Sequence, residues 1–354
     1  MDRKNTRLYT AIGISLFAVV FAALVVLATF FDLDVSKILT KNALPAGAYF
    51  STSGFGLFFE AMGSSPIYLM GSIAGLVVFW WGIRKEQKWL KIVAPIVGAI
   101  AAVAGAYLFV QDAFNYVGEQ FLVAGGLKKL YVKVIIAVIA VFIAAPSVVA
   151  WGRIKPEQNE KLIKWVLVIL CTLVLYLIVH FIKSPIGRVR FRTMNYLNDD
   201  KYSLFTRWYV MNGKRNLAPV VDGGVAIKDS CKSFPSGHTF SAGMIYTLVC
   251  LPDLLEGWNK KWVKGVIYGG TVAYTGVVAI SRIVVGAHYM SDVLFGGTLA
   301  FVGTMIAREI FLFKGEHVKA LFGKKREIAV SEEETAEAPA VEEPTAKSAE
   351  DAGE

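Results

Sequence analysis

The sequence predicts an all-α protein, a polytopic bundle of membrane-spanning helices, and three observations lead there. Hydrophobic residues fill 55% of the 354 positions, with a mean hydropathy of +0.52, and 18% are charged, fewer than the roughly 25% of a soluble domain. Apolar runs near the roughly 20 residues that cross a bilayer core recur along most of the chain. Lysines and arginines gather in alternate short loops between those runs, as in a chain that crosses back and forth.

Eight segments are long enough to span, or nearly so: 9–31, 66–83, 92–111, 134–151, 165–182, 238–255, 265–282 and 289–312. The first follows "MDRKNTR". It is longer than a signal-peptide core and has no small-x-small site after it, so it reads as a retained anchor. Pro252 and Asp253 shorten the apolar part of the sixth. Residues 43–63, "ALPAGAYFSTSGFGLFFEAMG", are semi-apolar without a clean period. They suit an interfacial or re-entrant segment, or a plain loop. From about Glu327 the tail is Glu, Ala, Pro and Thr with few large apolar residues, a composition expected to stay disordered.

Orientation follows from the short loops. Arg3, Lys4 and Arg7, "RKEQKWLK" (84–91), "GRIKPEQNEKLIK" (152–164), "NKKWVK" (259–264) and "KGEHVKALFGKKR" (314–326) all fall on one side if eight spans cross. The positive-inside rule makes that side cytoplasmic, both termini with it. Residues 32–65, 112–133, 183–237 and 283–288 then face the opposite side. The net charge of +9 is uneven: residues 327–354 hold ten acids and one lysine, so the remaining chain is strongly basic. Such a body suits anionic lipid or an anionic substrate. No basic soluble domain is large enough for nucleic acid. The cysteines, Cys171, Cys231 and Cys250, form neither a disulfide framework nor a zinc spacing.

Three patches of unusual chemistry share the extracytoplasmic side. "KSPIGRVRFR" (183–192), closing span five, offers Lys183, Arg188, Arg190 and Arg192. Guanidinium forks match phosphate oxygens, although headgroup contacts would explain such a cluster as well. "PSGH" (235–238) enters span six. Gly237 opens the backbone to a ligand, Ser236 can donate, helix-start N–H groups attract an anion, and His238 stands beside them. The plain alternative is Ser236 as N-cap with His238 merely interfacial. "SRIVVGAHYMSD" (281–292) joins spans seven and eight. His288 and Asp292, four apart, would share a helical face. Asp292 could fix the tautomer of His288, leaving the other ring nitrogen as base or nucleophile, with Arg282 in reach. An aspartate capping a helix beside a surface histidine is the alternative. Taken together, the patches fit phosphoryl transfer through a phosphohistidine, driven by positioning and positive charge without a cluster able to hold two metals. His180 reads as interfacial and His317 as cytoplasmic.

These residues resemble the type 2 phosphatidic acid phosphatase family, which includes bacterial acid phosphatases and vanadium haloperoxidases. Its signature has Lys, six residues, Arg-Pro; then Pro-Ser-Gly-His; then Ser-Arg, five residues, His, three residues, Asp. Lys183 and Arg190, Pro235–His238, and Ser281, Arg282, His288 and Asp292 match at those spacings. Phe191 replaces the usual proline, which leaves open whether Arg190 or Arg188 holds phosphate. The resemblance covers roughly 90–312. It implies a two-span N-terminal region (1–89), a six-helix phosphatase core (90–313) and a cytoplasmic tail (314–354).

The resemblance also implies roles. His288 would attack phosphorus, Asp292 would orient it, and His238 would protonate the leaving oxygen. Lys183, Arg190, Arg282, Ser236 and the Gly237 N–H would hold the phosphate. No cofactor or metal is implied. The partners are the bilayer and a lipid phosphate or pyrophosphate: undecaprenyl pyrophosphate, phosphatidylglycerophosphate or phosphatidate by analogy. A phosphotransferase would use the same residues, a haloperoxidase shares the signature, and a phospholipid-binding or transport protein would hold the lipid without turnover.

Overall fold

A computed structural model describes residues 3–121, 130–213, 221–222, 225–226 and 229–322. The tail from Glu327, expected to be disordered, lies outside the described residues. Internal contacts divide the chain into two units. Ala18–Lys314 is one and contains every residue of the site. Residues 1–17 and 315–354 form the other, which includes helix Glu316–Phe322.

The all-α polytopic architecture is as the sequence predicts. Helices α1 (Arg3–Thr40), α2 (Gly54–Gly63), α3 (Ser65–Ile83), α4 (Lys88–Phe121), α5 (Leu130–Gly152) and α6 (Pro156–Ile186) come first. The short α7 (Phe191–Tyr196) and the two-residue strands β1 (Val221–Asp222) and β2 (Val225–Ala226) follow. Then come α8 (Gly237–Gly243), a 3₁₀ segment (Met244–Cys250), α9 (Leu251–Leu254), α10 (Lys261–Val284), α11 (Met290–Phe313) and α12 (Glu316–Phe322). The long helices overrun the predicted apolar segments. α1 has 38 residues, about 57 Å of rise, well beyond the ~30 Å hydrocarbon core.

Against eight predicted spans, the described residues hold seven helices long and apolar enough to cross a membrane. The sixth segment, expected as one α-helix over 238–255, is instead α8, the 3₁₀ run and α9 in succession. Its backbone is diverted by neighbours. Trp165 Nε1 takes the Thr247 carbonyl at 2.8 Å, and Thr247 Oγ1 bonds the Met244 carbonyl three residues back at 2.9 Å. A 3₁₀ helix rises ~2.0 Å per residue against ~1.5 Å, so this stretch still extends about 30 Å.

The main core lies between α3, α6, α8, the 3₁₀ segment and α11, around Val77, Trp165, Ile169, Phe240, Met244 and Ala300. α3 and α4 pack backbone to backbone: a Cβ on Gly75 would meet Ala102 N at 2.4 Å. Small residues permit such approach where lipid supplies no hydrophobic drive. A second cluster of Leu44, Val189, Phe191, Met194, Cys231 and Tyr289 underlies the 183–237 connection. Phe191, which replaces the signature proline, is buried there and stacks on Tyr202 at 5.7 Å. The semi-apolar 43–63 stretch resolves into a short coil and α2, whose N-cap Ser53 accepts from Gly56 N at 3.2 Å.

Candidate active site

The site starts where α6 stops. Gly187 caps that helix in the left-handed region (φ 60°), its N–H reaching the Lys183 carbonyl at 3.1 Å. A side chain there would strike the Gly213 carbonyl oxygen, 1.9 Å from an ideal Cβ. The chain leaves α6 extended and runs beside 230–233, with Arg190 N on Ser230 O (2.9 Å) and Ser233 N on Arg188 O (3.0 Å). This pairing joins the first signature patch to the approach of the second.

The two arginines of that extended piece go to different places. Arg188 is fully buried and committed to protein. Its Nε donates to Thr206 O (2.9 Å), Nη1 to Ser291 Oγ (2.7 Å) and Asp292 Oδ1 (2.5 Å), and Nη2 to Asp32 Oδ2 (2.8 Å). Its guanidinium also lies 4.2 Å from the centre of the Tyr289 ring. Arg190, two residues on, is buried but leaves its Nε without a hydrogen-bond partner. Of the two candidates, Arg190 keeps a donor for a ligand.

"PSGH" is held against α11 by Ser236 N donating to the Asp292 carbonyl at 2.9 Å. Ser236 is the N-cap of α8, its Oγ accepting from Thr239 N at 3.3 Å and Thr239 Oγ1 at 2.9 Å. Gly237 makes room for a cation: Lys183 Nζ lies 3.1 Å from where its Cβ would stand. Any larger residue would push the ammonium away from the α8 start. His238 is half-buried, with its Cδ2 3.6 Å from an ideal Cβ on Gly63. Arg282, His288, Arg190 and Lys183 all act on it electrostatically. The two histidines, 50 positions apart in sequence, therefore share one charged environment.

His288 differs from its predicted setting. It lies before α11, not on it, and the helix N-cap is Tyr289. Its Nδ1 meets the Ser233 carbonyl at 2.7 Å, while Asp292 Oδ2 stands at 3.6 Å. A carbonyl only accepts, so Nδ1 carries the proton and Nε2 keeps its lone pair. Burial pushes the imidazole down to about 3, with the nearby Arg190 and Lys183 charges adding to it against the opposing pull of Asp292. The ring is neutral at physiological pH. Asp292 closes a capping box with Tyr289 N (2.8 Å), accepts from Ser233 Oγ (2.5 Å) and holds Arg188. Helix cap and histidine neighbour, weighed as alternatives in the sequence, are one residue.

Arg282 is completely buried. Its Nη2 donates to Gly56 O at 3.0 Å, and its Nη1 sits 2.9 Å from Glu60 Oε1, an ion pair without hydrogen-bond alignment. Glu60 also lies 3.6 Å from Arg192 Nη1. Lys183, Arg190, His238, Arg282 and His288 are thus gathered at one end of the bundle, with Ser236 and Gly237 at the α8 start among them.

Sequence reasoning missed Asp32, Glu60 and Ser233. Asp32, Ser36 and Thr40 are buried polar residues four apart on α1, a spacing that marks an inward stripe in an otherwise apolar helix. No comparable pattern exposes Glu60 or Ser233. Among the described residues, no group of three His, Cys, Asp or Glu side chains could hold a metal ion.

No solved structure matches the chain. The family model described as PAP2 superfamily matches residues 164–316, a stretch that contains all eight predicted site residues and excludes Asp32 and Glu60. The spacing of the three patches and this match agree: residues 164–316 are similar to the PAP2 superfamily, which includes phosphatases, consistent with the type 2 phosphatidic acid phosphatase family.

Proposed function

We propose that the protein is a membrane lipid phosphatase that removes phosphate from a lipid phosphate monoester or pyrophosphate through a phosphohistidine at His288, without a metal. The observation that carries this reading is the His288 ring. Its Nδ1 is tied to the Ser233 carbonyl, which leaves Nε2 as the nucleophile, and the positive charges of Lys183 and Arg190 act on both histidines and that of Arg282 on His238.

In the first step the Nε2 lone pair attacks phosphorus as the P–O bond to the lipid breaks. His238, protonated once the substrate's negative phosphate offsets the surrounding cations, gives that proton to the departing oxygen. In the second step His238 takes a proton from water, the hydroxide attacks phosphorus, and the P–N bond breaks to release inorganic phosphate. Lys183, Arg190 and Arg282 hold the non-bridging oxygens through both steps, with the Ser236 hydroxyl and the Gly237 N–H beside them. Asp292 steadies the imidazolium character that develops on His288.

A lipid substrate suits a site built at the ends of apolar helices. With the 237–254 stretch extending about 30 Å, the basic loops at 84–91, 152–164, 259–264 and 314–326 fall together. The site then faces away from the cytoplasm and both termini lie inside. The test is phosphate release from a panel of lipid phosphates and pyrophosphates by the purified full chain. Wild-type activity is expected to survive EDTA, and His288→Ala is expected to lose at least about 10³-fold. Activity that vanishes with chelator and returns with magnesium would contradict the mechanism. Cysteines placed at 195–213 should label from outside in intact cells; labelling only after permeabilisation would overturn the orientation.

A further inference from the structure

We infer that Asp32, on the first membrane helix and outside the stretch that matches the family, is a positioning residue of the active site. It fixes Asp292, and through it His288, by way of Arg188.

The carboxylate of Asp32 is buried and uses both oxygens. Oδ1 accepts the Ser291 N–H at 2.7 Å, one of the α11 N-terminal donors that has no partner within the helix. Oδ2 accepts Arg188 Nη2 at 2.8 Å and the Ser291 hydroxyl. That hydroxyl in turn accepts Arg188 Nη1 at 2.7 Å, so each proton in the ring has one donor and one acceptor. The other hydrogen bond of Nη1 goes to Asp292 Oδ1 at 2.5 Å. Asp32 and Asp292 therefore occupy the two prongs of one guanidinium fork. A planar fork transmits orientation: moving one prong turns the other.

α1 is docked for this task by contacts independent of the ion pairs. Thr29 Oγ1 accepts Trp208 Nε1 at 3.0 Å, and Phe21 meets Phe295 of α11 edge-on at 5.7 Å. Trp208 continues that stack onto Phe295 at 4.7 Å and Phe234 at 6.2 Å. Ser36 and Thr40 continue the buried face on which Asp32 lies. Removing the Asp32 charge would leave Asp292 as the one carboxylate on Arg188, so that Nη2 is released and the guanidinium can turn on its Thr206 and Ser291 contacts and draw Asp292 away from the Tyr289 N–H and Ser233 hydroxyl that hold it beside His288. None of these groups is among those assigned to hold the phosphate, so the effect is expected in the chemical step and not in binding.

The inference rests on the phosphohistidine reading, and the experiment separates the two. Asp32→Asn, Ser291→Ala and His288→Ala are assayed as full-length proteins in one detergent, for kcat, KM, vanadate inhibition, inorganic phosphate inhibition and melting temperature. Asp32→Asn is expected to lower kcat about 10- to 100-fold and weaken vanadate, which mimics the pentacoordinate phosphorus, to a similar degree. KM and phosphate inhibition should stay within twofold. Ser291→Ala should show the same pattern at about 3- to 10-fold, and it decides the matter if Asp32→Asn does not fold. Wild-type kcat in a folded Asp32→Asn overturns the inference. So does a fall in kcat and phosphate binding together in step with melting temperature, the mark of a role in stability alone. Undiminished activity in His288→Ala overturns the phosphohistidine reading itself, whatever Asp32 does.

Discussion

His288 stands between two regions of opposite character. Behind it, Asp292, Arg188, Ser291, Ser233 and Asp32 form a buried network in which the charged groups all have partners at hydrogen-bond distance. In front gather the cations Lys183, Arg190, Arg192 and Arg282; Glu60 pairs with Arg282 and Arg192, and Arg190 Nε has no hydrogen-bond partner. Buried polar groups are nearly always satisfied, so a satisfied network is scaffold and an unsatisfied cationic one is where a ligand's oxygens belong. Arg188 and Arg190 are two residues apart and fall on opposite sides of that line. The comparison also crosses the family boundary, since both regions depend on a carboxylate from the N-terminal helices that the family match leaves out.

The sharpest way to break the comparison is to delete each arginine in turn. Arg188→Ala would strand two buried carboxylates, a cost of about 3–5 kcal/mol against a typical stability of about 5–15 kcal/mol. It is expected to yield little folded protein by size-exclusion chromatography. Arg190→Ala should fold. It loses one charge-assisted contact, about 1.5–3 kcal/mol, so phosphate and vanadate inhibition should weaken roughly 10- to 100-fold. The reverse outcome, a stable Arg188→Ala and a misfolded Arg190→Ala, would erase the distinction.

Glu60→Gln should have a smaller effect and the opposite sign for binding. The carboxylate beside Arg282 and Arg192 offsets their charge and repels an incoming phosphate. Its neutral amide should let inorganic phosphate inhibit at about 3- to 10-fold lower concentration, with the gain shrinking at high salt. Weaker phosphate inhibition in a folded Glu60→Gln would mean that the carboxylate aims the arginines instead of competing for them.

The smallest expected effect is on pH dependence of stability. The folded-state pKa of His288 is about 3, below its ordinary 6.5. The unfolded chain therefore takes up a proton that the folded protein refuses. The stability associated with the neutral ring is whole above about pH 6.5 and is lost as pH falls toward 3. Between pH 7 and pH 5 the wild type should lose melting temperature faster than His288→Gln, and parallel slopes would show that the ring is not held neutral.

Much of this was legible in the chain. The apolar segments place the long helices, because a bilayer core needs roughly 20 apolar residues to cross it, although the helices run on past those segments, and the three patches name the residues that meet around His238 and His288. What stayed hidden depends on distance along the chain. Asp32 meets Arg188 across 156 positions and Ser291 across 259, and Arg282 meets Gly56 across 226. No local pattern encodes such pairings. The break in the sixth segment is hidden in part for a related reason, since the Thr247 carbonyl is held by Trp165, 82 positions away in the chain. Asp32 is the exception that could have been read. The predicted first span ended at residue 31, yet Asp32, Ser36 and Thr40 continue the helix with a polar stripe on one face.

The central claim is that phosphorus passes through His288. Brief incubation with a lipid carrying a radiolabelled phosphate, quenched in alkali, should leave label on the protein that is stable in base, released by acid and mapped by mass spectrometry to the peptide containing residue 288. Label that is absent under conditions of rapid turnover, or that maps to His238 or to a serine, would contradict it.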